Sequence, residues 1–283
     1  MLQLDAATRE WLASKADRFR GLHQGPAILV LPNAWDAATA RVFAAAGFAA
    51  IASTSAGIAY AAGYPDGERI ARHEMLEAVR RIAATVDVPV TADMEAGYGE
   101  TAEAARSTAE GVLAAGAIGL NLEDASAGRL LETAAHSARV RAVRRAAQDA
   151  GVPLVINART DVYLLQVGAP EARFDEAVRR ANAYREAGAD CLFVPGVRDR
   201  ETIGRLVTAI HGPINVLAGP GTPPADELQR LGVARVSTGS GPMRASLTLV
   251  RLERASRVSS FSCSTVNTIV GATRNCSLQC KPK

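Results

Sequence analysis

Eight short apolar, β-rich runs alternate along this chain with longer helical stretches, and that alternation constrains the fold more than any other feature. The runs are Ala27–Leu31, Ala49–Ser53, Val88–Ala92, Ile118–Leu122, Pro153–Asn157, Cys191–Val194, Ile214–Leu217 and Arg235–Thr238. Strands that are apolar throughout are buried on both faces, as in a parallel sheet covered by helices. Between them lie Ala-, Arg- and Glu-rich helical patterns at Asp36–Ala46, Arg72–Val86, Ala102–Ala115, Ala138–Ala150, Phe174–Ala187 and Glu201–Ile210. Several end in glycine and a small or apolar residue, as at Gly47-Phe48, Gly116-Ala117 and Gly151-Val152. Glycine supplies the left-handed residue that stops a helix, so the next strand begins at once. Eight such units in 283 residues predict an α/β chain closed into a (β/α)8 TIM barrel rather than an open doubly wound sheet. The segment Asp5–Leu22 reads as an extra N-terminal helix capping the bottom of the barrel.

Length and composition agree with one domain, assigned to residues 1–257. Residues 258–283 turn abruptly to Ser, Thr, Asn and Cys without helical period, and read as a disordered or foreign tail. A formal charge of +3 is too balanced to argue for nucleic acid or an anionic membrane. The N-terminus lacks the apolar core of a signal peptide and no run is long enough to span a bilayer, so a cytoplasmic location is expected. Cys191 reads as a buried, inert strand residue, and Cys263, Cys276 and Cys280 fit neither a zinc site nor a disulfide framework. His23, His73, His136 and His211 show no metal-ligand spacing and are expected to be solvated or capping.

Barrel enzymes carry their chemistry at the C-terminal ends of the strands, and polar residues collect there. The first strand runs into Asn33-Ala34-Trp35-Asp36, with Trp35 a candidate substrate contact, and the second into Ser53-Thr54-Ser55. The third ends in Asp93-Met94-Glu95, the fourth in Asn121-Leu122-Glu123-Asp124 and the fifth in Asn157-Ala158-Arg159-Thr160-Asp161. Asp93, Glu95 and Glu123 make a hard-oxygen set suited to Mg²⁺, with Mn²⁺ as a substitute. Any one of these acids could instead cap a helix, a role that suits Asp124 better than Glu123. Arg159 could grip a carboxylate with its planar fork, or simply pair with Asp161 or one of the acids. Ser53, Thr54 and Ser55 sit on a small-residue turn that could face an oxyanion, although an ordinary turn looks the same. Gly239-Ser240-Gly241 lies where many barrels bind phosphate, but capping by Ser240 explains it equally well.

These segments, together with Gly63-Tyr64-Pro65-Asp66 and Ala96-Gly97-Tyr98-Gly99, resemble the isocitrate lyase and phosphoenolpyruvate mutase superfamily over roughly residues 20–250. The resemblance implies a Mg²⁺-dependent barrel acting on C–C or P–C bonds of 2-oxo or 2-hydroxy acids. It also implies a homo-oligomer, a homodimer or homotetramer in which C-terminal helices are exchanged. Carried over residue by residue, Asp93 would be the nearest acidic ligand of the metal, with Glu95 and Glu123 holding it directly or through water. Asp66 would join the outer shell as a catalytic acid, and Arg159 would bind the substrate carboxylate. Ser53, Thr54 and Ser55 would hold the enolate oxygen, and Asn215 would touch the distal end of the ligand.

The superfamily's lyases carry a Lys-Lys-Cys-Gly-His type segment after the fourth strand, where this chain reads Ala125-Ser126-Ala127-Gly128-Arg129-Leu130 and has no cysteine. His136 is a candidate substitute acid. Where those lyases have a Glu near the sixth strand end, this chain has Val194-Pro195-Gly196. The first reading is therefore a Mg²⁺-dependent carbon–carbon lyase releasing pyruvate or a related 2-oxo acid through a metal-stabilised enolate. The alternatives are a phosphonomutase or phosphonate hydrolase, and a 2-oxo acid binding protein without turnover. In each case the partner is a small 2-oxo acid or dicarboxylate.

Overall fold

The computed structural model describes residues 2–255. The readings of residues 258–283, with Cys263, Cys276 and Cys280, lie outside the described residues. Residues up to Met243 form one compact unit, and a second begins at Arg244. Among the described residues no helix is long and apolar enough to cross a membrane.

The first unit is a parallel barrel. Its strands are β1 (Leu29–Leu31), β2 (Asn33–Ala34), β3 (Ile51–Ser53), β4 (Val90–Asp93) and β5 (Gly119–Glu123), then β8 (Val155–Arg159), β9 (Cys191–Phe193), β10 (Ile214–Leu217) and β11 (Arg235–Ser237), with a small hairpin of β6 (Ala125–Ser126) and β7 (Arg129–Leu130) between β5 and β8. They follow the order β1-β11-β10-β9-β8-β5-β4-β3-β2. The nine pieces are eight barrel strands, because β1 and β2 are one strand interrupted at Pro32. Proline has no N–H to give to the ladder, and here its carbonyl still accepts from Ala52 N at 2.9 Å. β1 pairs with β11 and β2 with β3, so the first strand joins both edges and closes the sheet.

Helices α1 (Ala6–Leu22), α2 (Ala37–Ala45), α3 (Ser55–Ala61), α4 (Arg72–Ala83), α5 (Ala102–Ala114), α6 (Thr133–Ala150), α7 (Arg173–Glu186), α8 (Arg200–Ala209), α9 (Ala225–Arg230) and α10 (Gly241–Ala255) complete the described chain. The predicted helix at Ala138–Ala150 starts earlier, at Thr133, and α3, α9 and the hairpin were not predicted. Each is too short to show a period of its own. The αβ junctions behave as predicted: α6 stops at Gly151, whose φ of 67° lies in the left-handed region.

Helix α1 covers the bottom of the barrel, as expected. Asp5 caps it, accepting from Thr8 N at 2.9 Å, and Leu12, Ala16 and Phe19 are buried. Arg20 Nη2 donates to Pro153 O, just below β8, at 3.0 Å. Gly119 opens β5 because a side chain has no room there: a Cβ would lie 3.2 Å from the Phe19 ring and 3.0 Å from Val155 O. At the other end, Asp93, Glu123 and Arg159 are the last residues of β4, β5 and β8, so the sheet itself delivers them to the C-terminal face.

Candidate active site

Asp93 stands in a web of donors. Its Oδ2 accepts from Ser55 N at 3.0 Å and Ser55 Oγ at 2.8 Å, and its Oδ1 accepts from Asn121 Nδ2 at 3.2 Å. Asn121 Oδ1 in turn accepts from Asn157 Nδ2 at 2.7 Å. Ser53 is fully buried, and its Oγ accepts from Asp93 N at 2.8 Å. The segment Ser53–Ser55 is thus not a free turn. Thr54 caps α3, taking Gly57 N on its hydroxyl, and Ser55 is the first helical residue.

Glu95 lies just past β4 with a φ of 51°, a left-handed conformation that a non-glycine residue adopts only when its surroundings hold it there. Its side chain is buried. Oε2 accepts from Glu68 N at 2.7 Å, while Oε1 is buried without a hydrogen-bond partner. Burial, with the charge of Asp93 next, pushes its carboxyl up to about 7. Glu123 is also pushed well up by burial, against the pull of the Arg159 guanidinium to which it is ion-paired. The fork of Arg159 is largely used internally: Nε and Nη2 donate to the two oxygens of Asp161 at 2.6 and 3.0 Å, and Nη1 donates to Glu123. The ion-pair reading of Arg159 therefore describes its contacts in this structure.

A cavity of about 350 Å³ opens beside these acids, lined by Asp66, Gly67, Glu68 and Arg69, by Glu95, Ala96 and Glu123, by Ala125 to Gly128 of the hairpin, and by Leu165. Asp66 lines it together with Glu95 and Glu123, the grouping that the family resemblance implied. Asp66 is exposed, and its Oδ1 accepts from Gly67 N at 3.1 Å. Glu68 was not predicted. Its Oε1 accepts from Tyr98 N at 2.6 Å, and its own N–H holds Glu95. The four carboxylates do not stand ready as a cation cage. Among the described residues no three His, Cys, Asp or Glu side chains are arranged to hold a metal ion. Of the expected set Asp93, Glu95 and Glu123, Asp93 is engaged by Ser55 and Asn121 and Glu123 by Arg159, while Glu95 keeps one oxygen without a hydrogen-bond partner.

Other expectations are corrected by packing. Trp35 lines a separate cavity of about 390 Å³ with Ile58, Ile70 and Glu74, because the chain turns into α2 directly after β2. Asn215 is fully buried within the barrel, its Nδ2 donating to Ser237 Oγ at 3.2 Å. It does not line the acidic cavity. Asn33 Oδ1 accepts from Thr238 N at 3.0 Å and Gly239 N at 2.8 Å, so the first N–H of the Gly239-Ser240-Gly241 turn serves the fold rather than a phosphate. Asp124 caps nothing: fully buried, it accepts from Thr160 Oγ1 and Tyr184 OH at 2.7 Å, Asp161 N at 2.9 Å and Arg180 Nη1 at 3.1 Å. A carboxylate so surrounded fixes the loop that carries Arg159 and Asp161.

His136 is also buried, in α6, with its ring 4.5 Å from that of Tyr184 and Nδ1 3.2 Å from Arg139 Nη1. It is not among the cavity residues, so the substitute-acid reading has no support in its position. His73 and His211 are exposed as expected, but His23, like His136, is buried. Cys191 is buried and its thiol is pushed up to about 12 by that burial, which makes it inert.

The segment after β5 is the sharpest local departure. Ala127 and Gly128, with φ of 49° and 77°, form a two-residue turn that closes β6 on β7. Arg129 of this hairpin pairs with Glu100 at 2.8 Å. The cavity's ceiling is thus a tethered hairpin of small residues.

Residues 19–258 match the family described as phosphoenolpyruvate phosphomutase. The chain belongs to this family. An uncharacterized protein of Mycobacterium tuberculosis (strain ATCC 25618 / H37Rv) is 38% identical over 229 residues, covering 81% of this chain and 84% of that one. An oxaloacetate decarboxylase of Rhodopseudomonas palustris (strain TIE-1) is 35% identical over 168 residues, covering 58% and 55%. A solved structure from Burkholderia cenocepacia J2315, provisionally named a phosphonomutase, superposes with a TM-score of 0.81 at 44% identity, covering 85% of this chain and 99% of that one. A 2,3-dimethylmalate lyase described as a PEP mutase/isocitrate lyase superfamily member superposes with a TM-score of 0.77 at 26% identity, covering 91% of this chain and 95% of that one, in line with the superfamily that the strand-end motifs implied.

Proposed function

We propose that this protein is a Mg²⁺-dependent lyase that breaks a C–C bond of a small 2-oxo or 2-hydroxy dicarboxylic acid and releases pyruvate or a related 2-oxo acid. The observation that carries the reading is the acidic cavity itself, in which Glu95 Oε1 is buried without a partner among neighbouring negative charges. An unpaired carboxylate oxygen in low dielectric is costly, and a hard cation relieves both the desolvation and the repulsion that push Glu95 up to about 7. The residues therefore fit a divalent ion such as Mg²⁺, which keeps much of its water and needs few direct protein ligands. Glu95, Asp93 and Glu123 would hold it, directly or through water. When bound, it would act as a Lewis acid that draws electrons from the 2-oxo group.

The chain's own residues do the rest. Ser55 and Asn121 orient Asp93 by three hydrogen bonds. Asp161 and Glu123 hold the Arg159 guanidinium in place, where its remaining N–H groups can meet a substrate carboxylate. The hairpin contributes Ala125, Ser126, Ala127 and Gly128, none of which is a general acid or base near neutral pH. Decarboxylation suits that equipment: the C3–C4 bond breaks as CO₂ leaves, and the enolate takes its proton from water. The relationship to an oxaloacetate decarboxylase supports the same substrate class.

Pyruvate release from a panel of 2-oxo and 2-hydroxy dicarboxylates, with Mg²⁺ and with chelator, tests the reading. Release that depends on the cation is expected; release indifferent to chelation removes it. A P–C bond reaction is favoured by the similar Burkholderia structure. Phosphorus NMR of phosphonopyruvate incubated with the protein and Mg²⁺ decides that alternative, an unchanged spectrum counting against it. Binding without turnover would show in calorimetry as Mg²⁺-dependent heat with no product.

A further inference from the structure

Arg69 is the single cationic residue among the described residues that line the acidic cavity. It belongs to the segment between α3 and α4 that also supplies Asp66, Gly67 and Glu68. Among the described residues the other guanidinium groups near the site have partners: Arg159 pairs with Asp161 and Glu123, which leaves it two N–H groups for one carboxylate, Arg129 pairs with Glu100, and Arg139 donates to the carbonyls of Glu123 and Gly99. Arg69 is exposed, and among the described residues no hydrogen bond or ion pair holds it.

That isolation matters for a substrate with two negative charges. A dicarboxylate entering this cavity meets Asp66, Glu68, Glu95 and Glu123. One divalent cation at the 2-oxo acid end can neutralise that end alone, and like charges left facing each other repel. The hairpin ceiling, Ala125 to Gly128, offers the second carboxylate no positive charge. We propose that Arg69 is the specificity-determining residue that receives the distal carboxylate of the substrate and so selects 2-oxo and 2-hydroxy dicarboxylates over monocarboxylates. The proposal rests on the C–C lyase reading above. A guanidinium offers a planar fork matched to a carboxylate. Because Arg69 stays at the solvated rim, the pair it makes is modest in strength and a leaving group can still escape it.

Calorimetry with the full chain and Mg²⁺, using malate and lactate as probes, isolates the effect. The two share the 2-hydroxy acid end and differ in the distal carboxylate. For Arg69→Ala we expect malate to bind at least fivefold more weakly and lactate to bind as in the parent protein, with Arg69→Lys recovering part of the loss. In turnover of oxaloacetate the change should fall in KM. An unshifted melting temperature shows that the variant folds. Malate binding unaltered by Arg69→Ala overturns the proposal, as does equal weakening of malate and lactate. A parent protein that binds neither probe in the presence of Mg²⁺ refutes the lyase reading, and the role of Arg69 with it.

Discussion

The two ends of the barrel bury titratable groups in opposite ways. At the bottom, His23 is tucked under the sheet with its ring edge-on to Phe19, and Nδ1 lies 2.9 Å from Phe19 O. A carbonyl only accepts, so Nδ1 carries the proton, and burial holds the ring neutral by pulling it down to about 4. At the top, Glu95 is as deeply buried but sits among other carboxylates, and is pushed up to about 7. At the bottom the ring stays uncharged because burial and the neighbouring Arg235 charge both disfavour a second proton. At the top, like charges gather beside a cavity where a cation or substrate can relieve their conflict, and that arrangement marks the functional end.

The comparison breaks first at Asp93. Asp93→Ala should lower turnover by on the order of 10³, equivalent to about 4 kcal/mol of transition-state stabilisation, while the denaturant midpoint changes little. A measured turnover within tenfold of the parent would contradict the assignment of the top as the chemical end. Phe19→Ala should do the reverse. Removing a fully buried ring from the seal beneath Gly119 is expected to cost about 3–5 kcal/mol of stability. Urea denaturation reads that loss, and Mg²⁺ affinity measured on the remaining folded protein should match the parent.

How far each end could be read in the sequence follows from the same contrast. The barrel, its eight strands and the sealing helix follow from hydrophobic pattern and glycine stops, which local chemistry fixes. Asp66 could be placed beside Glu95 and Glu123 only through its family resemblance, since its loop lies far from them in sequence. Glu68 and Arg69 were missed because two charged residues in a turn look like any solvated loop. Asp124 was misread because a buried carboxylate satisfied by Thr160, Arg180 and Tyr184 depends on partners from the end of β8 and from α7, both far from it in sequence. Trp35 directly follows a strand end and Asn215 lies within β10, but whether such a residue faces the cavity, a neighbouring helix or the barrel interior is decided by tertiary packing.

Opposite pH slopes sharpen the comparison. Between about pH 6.5 and 4 the unfolded chain binds a proton at His23 that the folded chain refuses, so this contribution is complete above about 6.5 and is lost on acidification. Glu95 works the other way: its folded value near 7 lies above the usual 4.5, so the stability it confers is present below about 4.5 and is lost as pH rises through 7. Each is worth on the order of 3 kcal/mol at full expression. His23→Gln should flatten the acid side of the stability profile and Glu95→Gln the alkaline side, both read by urea denaturation in the presence of chelator. If one substitution altered both sides, the two ends would not titrate independently.

The smallest effect is expected at the hairpin tether. Arg129 and Glu100 are largely exposed, at 63% and 46% side-chain accessibility, so their ion pair contributes only about 0.2–1 kcal/mol to stability. Arg129→Ala should leave the melting temperature within about 2 °C of the parent. Its consequence lies instead in the ceiling of the cavity: releasing β6 and β7 from Glu100 frees the turn at Ala127-Gly128 to move, so KM for a dicarboxylate should rise a few-fold. High salt, which screens an exposed pair, should therefore narrow the difference in KM between the parent protein and the variant.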